Sequence, residues 1–196
     1  MVALGGGDRH RRHPLAIGSR IYSPAFIPTG TSTMLINFIT TGGTIDKVYF
    51  DAKSAFEVGE SVLDHVLRQG EVGFEYRVLP LMRKDSLDLT DQDRLRIREA
   101  VEAVEGPRVV ITHGTDTMVE TAKALEGVEN KVVVLTGSLS PARFQSSDAD
   151  FNIGLAVAAV QCLEPGLYIA MNGTIFDARG VRKNRAANRF EPIERT

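Results

Sequence analysis

Cysteine is almost missing from this chain: Cys162 stands alone among 196 residues. One cysteine excludes an intrachain disulfide framework and any zinc site built from cysteine clusters. Charge of one sign is missing too, with 23 basic against 25 acidic side chains and a formal net charge of −2. That balance offers no surface for nucleic acid or for an anionic membrane. No apolar run reaches the roughly 18 residues that a membrane-spanning helix requires. Also absent are a G-x-G-x-x-G turn after a strand, a phosphate loop ending in Gly-Lys-Ser/Thr, H-E-x-x-H and G-x-S-x-G. Nucleotide, zinc and serine-elbow chemistry therefore have no local support, and no metal or organic cofactor is implied. What is present is an ordinary globular composition, 43% hydrophobic and 24% charged. The length suits one domain, expected in the cytoplasm.

Residues 1–33 differ from the rest. They hold Arg9, Arg11, Arg12 and Arg20 against one acid, Asp8, together with Gly5-Gly6-Gly7 and three prolines. No helical or alternating apolar period runs through them. An Arg-rich, acid-poor leader fits an organellar address, but glycine and proline spoil the amphipathic helix it needs. The segment reads as a disordered extension ahead of a start at Met34, with the folded domain over residues 34–196.

From Leu35 the chain alternates short apolar runs with helical stretches. Runs at residues 35–39, 108–111, 131–135 and 167–171 are apolar throughout, as in strands buried on both faces. A strand over 74–79 ends at Pro80, and helices are expected near 61–68, 90–104, 118–125 and 148–162. Gly70 suits a left-handed cap, and Thr90 with Asp91 and Asp93 suits a helix start. The expected fold is a doubly wound α/β domain: a mostly parallel sheet with helices on both faces. Ligands of such sheets bind beyond the carboxyl ends of the strands. There lie Thr40-Thr41-Gly42-Gly43-Thr44, His113-Gly114-Thr115-Asp116-Thr117 and Thr136-Gly137-Ser138.

These loops offer hydroxyls as nucleophiles. Two glycines beside Thr44 permit positive φ and let backbone N–H groups approach an oxyanion. The same glycines also suit a plain turn. Asp116 reads equally as a helix cap and as a carboxylate facing the crevice, where it would hold an ammonium group. His113 invites a general-base role, with a buried, hydrogen-bonded histidine as the plainer reading. His65 is expected at the surface, and Cys162 as a small core residue.

Taken together, Thr41-Gly42-Gly43-Thr44-Ile45 and His113-Gly114-Thr115-Asp116-Thr117-Met118 resemble the L-asparaginase family with a threonine nucleophile. Further agreement runs through Asp85-Ser86, Val132-Val133-Val134-Leu135-Thr136-Gly137-Ser138, Ser147-Asp148, Phe151-Asn152, Met171-Asn172-Gly173 and Phe176-Asp177-Ala178-Arg179 to Val181-Arg182-Lys183. The resemblance covers about residues 35–190, the family's N-terminal domain. It implies hydrolysis of L-asparagine to L-aspartate and ammonia through an acyl-threonine. Thr44 matches the nucleophile and Tyr49 the loop tyrosine that hydrogen-bonds it. Thr115, Asp116 and Lys183 match the Thr-Lys-Asp cluster that moves protons. Ser86 matches the residue for the substrate α-carboxylate, Asp116 holds the α-ammonium, and backbone near Gly43 and Thr115 serves the oxyanion.

Each residue keeps a plainer reading beside this one. Lys183 falls in a run of solvated charges over 179–189, Tyr49 flanks a turn, and Ser86 is a turn hydroxyl. Leu87 stands where many family members carry glutamine. The family's second domain, which supplies an acid to the α-ammonium of a neighbouring subunit, is not matched. Loss of that hydrogen bond would weaken asparagine binding by about 1.5–3 kcal/mol, unless another subunit or a local acid such as Asp46 or Asp148 replaces it. A homo-oligomer is expected. Other readings are glutamine or another amide as substrate, and a catalytically weak or idle domain that binds an amino acid.

Overall fold

The computed structural model describes residues 34–50 and 55–193; the expected N-terminal extension lies outside the described residues. Ten strands and four α-helices follow in chain order: β1 (Leu35–Gly42), β2 (Lys47–Phe50), β3 (Ala55–Val58), α1 (Leu63–Gln69), β4 (Glu75–Lys84), α2 (Asp91–Ala103) and β5 (Arg108–Thr112). Then come α3 (Met118–Ala124), β6 (Val132–Thr136), α4 (Ala149–Cys162), β7 (Gly166–Met171), β8 (Thr174–Asp177), β9 (Val181–Asn184) and β10 (Arg189–Pro192). Six strands form one sheet in the order β4-β1-β5-β6-β7-β8. Only β8 runs antiparallel to its neighbour. The other four strands pair as hairpins, β2 with β3 and β9 with β10.

The apolar runs are apolar throughout because each strand feeds two cores. Ile39, Val109, Ile111, Val133, Leu135, Ile169 and Met171 face the cluster built on α2 and α3. Their alternating neighbours Ile36, Phe38, Val110, Val132, Val134 and Ala170 face the cluster built on α1 and α4. Period-2 alternation thus puts a buried apolar side chain on each face, and helices cover both. The doubly wound α/β reading holds.

Strand order also places the crevice. The chain leaves β1 for β4 on one side, then returns past it to β5 on the other. Beyond β1 and β5 the connections diverge, which opens the groove where such folds take ligands. The segments after these two strands hold Thr44 and Thr115.

Several local expectations change. Pro80 lies inside β4 instead of ending it, because β4 is an edge strand paired only with β1. The register shifts just beyond it, and pairing resumes at Gly42 opposite Lys84. Gly70 is right-handed, and the left-handed residue is Glu71 (φ 46°). The cap of α2 is as expected: the Thr90 hydroxyl accepts from Asp93 N–H, and the Asp93 carboxylate accepts from Thr90 N–H. Cys162 is exposed at the end of α4, not in the core. No helix among the described residues is long and apolar enough to cross a membrane.

Candidate active site

Two consecutive glycines end β1, Gly42 at φ 93° and Gly43 at φ 94°. Any side chain would be strained at those angles. A Cβ on Gly43 would also strike the Gly114 backbone, so the β1 and β5 loops touch at a pair of glycines. The Thr41 hydroxyl donates to the Thr112 carbonyl at 2.9 Å and ties the same two strand ends. Thr44 then opens a single 3-10 turn, Thr44–Asp46, in which it is half-buried.

On the β5 side, His113 is fully buried. One ring nitrogen, Nδ1, lies 2.7 Å from the Gly114 carbonyl and so donates to it. Nε2 then accepts the Thr121 hydroxyl at 2.8 Å. Desolvation lowers the ring pKa to about 4. A neutral imidazole with both nitrogens engaged holds the loop in place and has no free position for a substrate proton.

The next residues carry the strongest convergence. The Lys183 ammonium donates to Thr115 Oγ1 at 2.6 Å and to Asp116 Oδ1 at 2.7 Å. These contacts span 68 and 67 residues, and the lysine side chain is only 9% exposed. Lys183 comes inward because β9 pairs with β10, placing it opposite buried Phe190. Arg185, two residues on, adds a looser approach to the Asp116 carboxylate at 4.0 Å. Asp116 is therefore not a cap. Thr117 occupies the N-cap of α3, without a side-chain bond, and donates its hydroxyl to the Ser86 carbonyl instead.

Ser86 sits in a 3-10 turn after β4, buried, with its hydroxyl where a Cβ on Gly114 would lie. Beside it, Asp85 pairs with Lys47 at 2.7 Å across the groove. Burial raises the Asp85 carboxyl pKa, but the Lys47 contact together with the Leu87 and Ser86 N–H groups more than offsets this and leaves it below the usual value. In the third loop, the Asp148 carboxylate accepts the N–H groups of Leu139 and Ser140 and one from the Asn152 amide.

The structure thus gathers Gly43, Ser86, Thr115, Asp116 and Lys183 around the groove beyond β1 and β5, with Thr44 directly after Gly43. Tyr49 has its backbone in β2, opposite Phe56, and its side chain lies outside the described residues. Neither local acid weighed for the ammonium is available: Asp148 is spent on backbone, and Asp46 is buried and accepts from Val62 N–H. His65 is exposed, as expected. The Lys47–Asp85 pair and the burial of Asp46 carried no sequence signal, because each depends on a partner brought by the fold.

A cavity of about 380 Å³ lies elsewhere, between α3 and the amino ends of β6 and β7, lined by Leu125, Val128, Leu167 and Arg179 among others. Among the described residues, no group of three or more His, Cys, Asp or Glu side chains stands together to hold a metal ion.

Residues 35–194 match the family model described as Asparaginase, N-terminal. The probable periplasmic L-asparaginase of Haemophilus influenzae is 32% identical over 164 residues, covering 76% of this chain and 46% of that protein. A glutaminase-asparaginase of Acinetobacter glutaminasificans is 41% identical over 107 residues, covering 50% of this chain and 32% of that one. Among solved structures, the thermostable L-asparaginase of Thermococcus kodakarensis superposes with a TM-score of 0.68 at 27% identity. That match covers 81% of this chain and 51% of the other. The chain spans about half, or less, of the length of these relatives.

Proposed function

The chain belongs to the asparaginase family, as a match to its N-terminal domain, and from that premise we propose that it hydrolyses L-asparagine to L-aspartate and ammonia through an ester on Thr44. Residues 34–196 act as the catalytic domain in this reading, in the cytoplasm and within a homo-oligomer. The observation that carries it is the Lys183 ammonium bonded at once to Thr115 and Asp116 beside the Thr44 loop.

Thr44 Oγ attacks the side-chain carbonyl carbon, and its proton leaves through the neighbouring relay. Charge developing on the carbonyl oxygen meets backbone N–H groups near Gly43 and Thr115, two loops already in contact. Thr115 accepts from Lys183, so its own hydroxyl proton is free to be donated outward to the departing nitrogen. The C–N bond breaks, ammonia leaves, and an aspartyl ester remains on Thr44. Water then attacks that ester, passing its proton through the Thr115 hydroxyl to the departing Thr44 oxygen while the Lys183 ammonium steadies the charge on Thr115, and the threonine is restored. Tyr49 steadies the Thr44 hydroxyl. Ser86 takes the α-carboxylate, and the outer face of Asp116 takes the α-ammonium.

Glutamine differs from asparagine by one methylene, worth about 1–3 kcal/mol in a pocket. Both amides therefore belong in the test. Ammonia release from L-asparagine and L-glutamine is measured for the chain and for Thr44→Ala. The expected result is turnover of asparagine that falls by roughly a thousandfold or more in the variant. No turnover of either amide, with asparagine still bound, would favour the amino-acid-binding reading.

A further inference from the structure

Backbone hydrogen bonds that would form with almost any sequence hold most of the turn that carries Thr44. Asp46 N–H donates to the Gly43 carbonyl at 3.2 Å, and Lys47 N–H donates to the Thr44 carbonyl. Ala142 N–H donates to the Ile45 carbonyl at 3.1 Å, and Gly59 N–H to the Asp46 carbonyl at 2.8 Å. Others depend on the side chain: Asp46 Oδ1 accepts Val62 N–H at 3.0 Å, and the carboxylate also meets the Ser61 hydroxyl. Val62 is the residue from which α1 springs. Asp46 thus grips the segment between β3 and α1 by its carbonyl at Gly59 and by its carboxylate at Ser61 and Val62.

This grip is costly, which argues that it does something. Asp46 is 2% exposed, and desolvation raises its carboxyl pKa despite the Val62 bond, the Ser61 hydroxyl and the distant charges of Arg143 and Arg83. An alanine or leucine would fill such a place without that penalty. The turn is only three residues long, so its ends cannot move independently: fixing Asp46 against α1 fixes Thr44.

We propose that Asp46 is a positioning residue, holding Thr44 in its attacking place by anchoring the turn to the start of α1. The inference rests on the reading of Thr44 as nucleophile. A hydroxyl displaced by about 1 Å loses up to a hundredfold in rate while substrate binding is largely kept.

The test uses the full chain with Asp46→Ala, Asp46→Asn, Val62→Pro and Thr44→Ala. Asparagine keeps an oxygen that accepts Val62 N–H. Proline at position 62 removes the donor instead, at a φ of −81° that suits it. Expected for Asp46→Ala and for Val62→Pro is a kcat for asparagine ten- to a hundredfold lower, with KM within about twofold. Asp46→Asn is expected to stay within about threefold of the parent. Hydrogen exchange supplies a readout apart from activity: amides 44–46 and 59–62 exchange about tenfold faster in Asp46→Ala and return to parental rates in Asp46→Asn. If Asp46→Ala does not fold, Val62→Pro answers from the other side of the bond. Parental kcat and exchange in a folded Asp46→Ala or Val62→Pro would overturn the proposal, as would an Asp46→Asn as impaired as the alanine variant. Turnover surviving in Thr44→Ala would remove the nucleophile reading itself, a result distinguishable from the others.

Discussion

Single residues here owe their behaviour to partners far along the chain. Asp116 looks like a cap in its local sequence, yet its carboxylate is taken by a lysine 67 residues away. Lys183 looks like one charge in a solvated run, yet it is nearly buried. His113, directly after β5, is fully buried. Its burial makes stability depend on pH. The folded ring, at about 4, binds a proton less readily than the unfolded ring at 6.5. Protonation therefore favours the unfolded chain, and stability present above about 6.5 is lost as pH falls toward 4. The whole effect is roughly 3 kcal/mol, with about 2 kcal/mol gone between pH 7 and 5. Asp46 works in the opposite sense, because its raised carboxyl pKa is a strain that acid relieves. Urea unfolding across this range, with NMR of the histidine rings, checks the account. It expects a His113 ring that stays neutral at pH 5, and a ring titrating near 6.5 would contradict its burial.

Among the elements, local sequence signals are strongest in the central strands and in α2. The central strands announce themselves by unbroken apolar runs, and α2 by its start: Thr90 and Asp93 cap each other reciprocally. Lys84 also pairs with Asp93 at 2.7 Å, which with the Thr90 bonds holds that carboxyl pKa far below its usual value. Thr90→Ala is expected to cost about 1 kcal/mol of stability by urea unfolding without changing the fold. A cost near zero would mean that the Lys84–Asp93 pair alone holds the helix start. The hairpins were not legible. Their four-residue strands are too short and too polar for a period, as in Val181-Arg182-Lys183-Asn184. Pro80 misled for a related reason, since sequence does not say which strand will stand at an edge.

Over the whole molecule, strand order turns these elements into a groove. It brings Gly43, from the first strand end, against Gly114, from a strand some seventy residues later. The fold class is legible in the apolar runs, and the strand ends point to the loops of Thr44, Thr115 and Asp116, whereas Ser86 and Lys183 are implied only by the family resemblance. The anchoring of the Thr44 turn did not, because Asp46, Gly59 and Val62 meet only when β2 and β3 fold back. The central claim is that this groove cleaves an amide through Thr44. Its most direct test is acid quenching of the protein during turnover of L-asparagine, followed by mass mapping of the peptides. The account predicts an aspartyl ester on the peptide carrying Thr44 and none in Thr44→Ala. An ester on Thr115 instead, or undiminished ammonia release by Thr44→Ala, would contradict it.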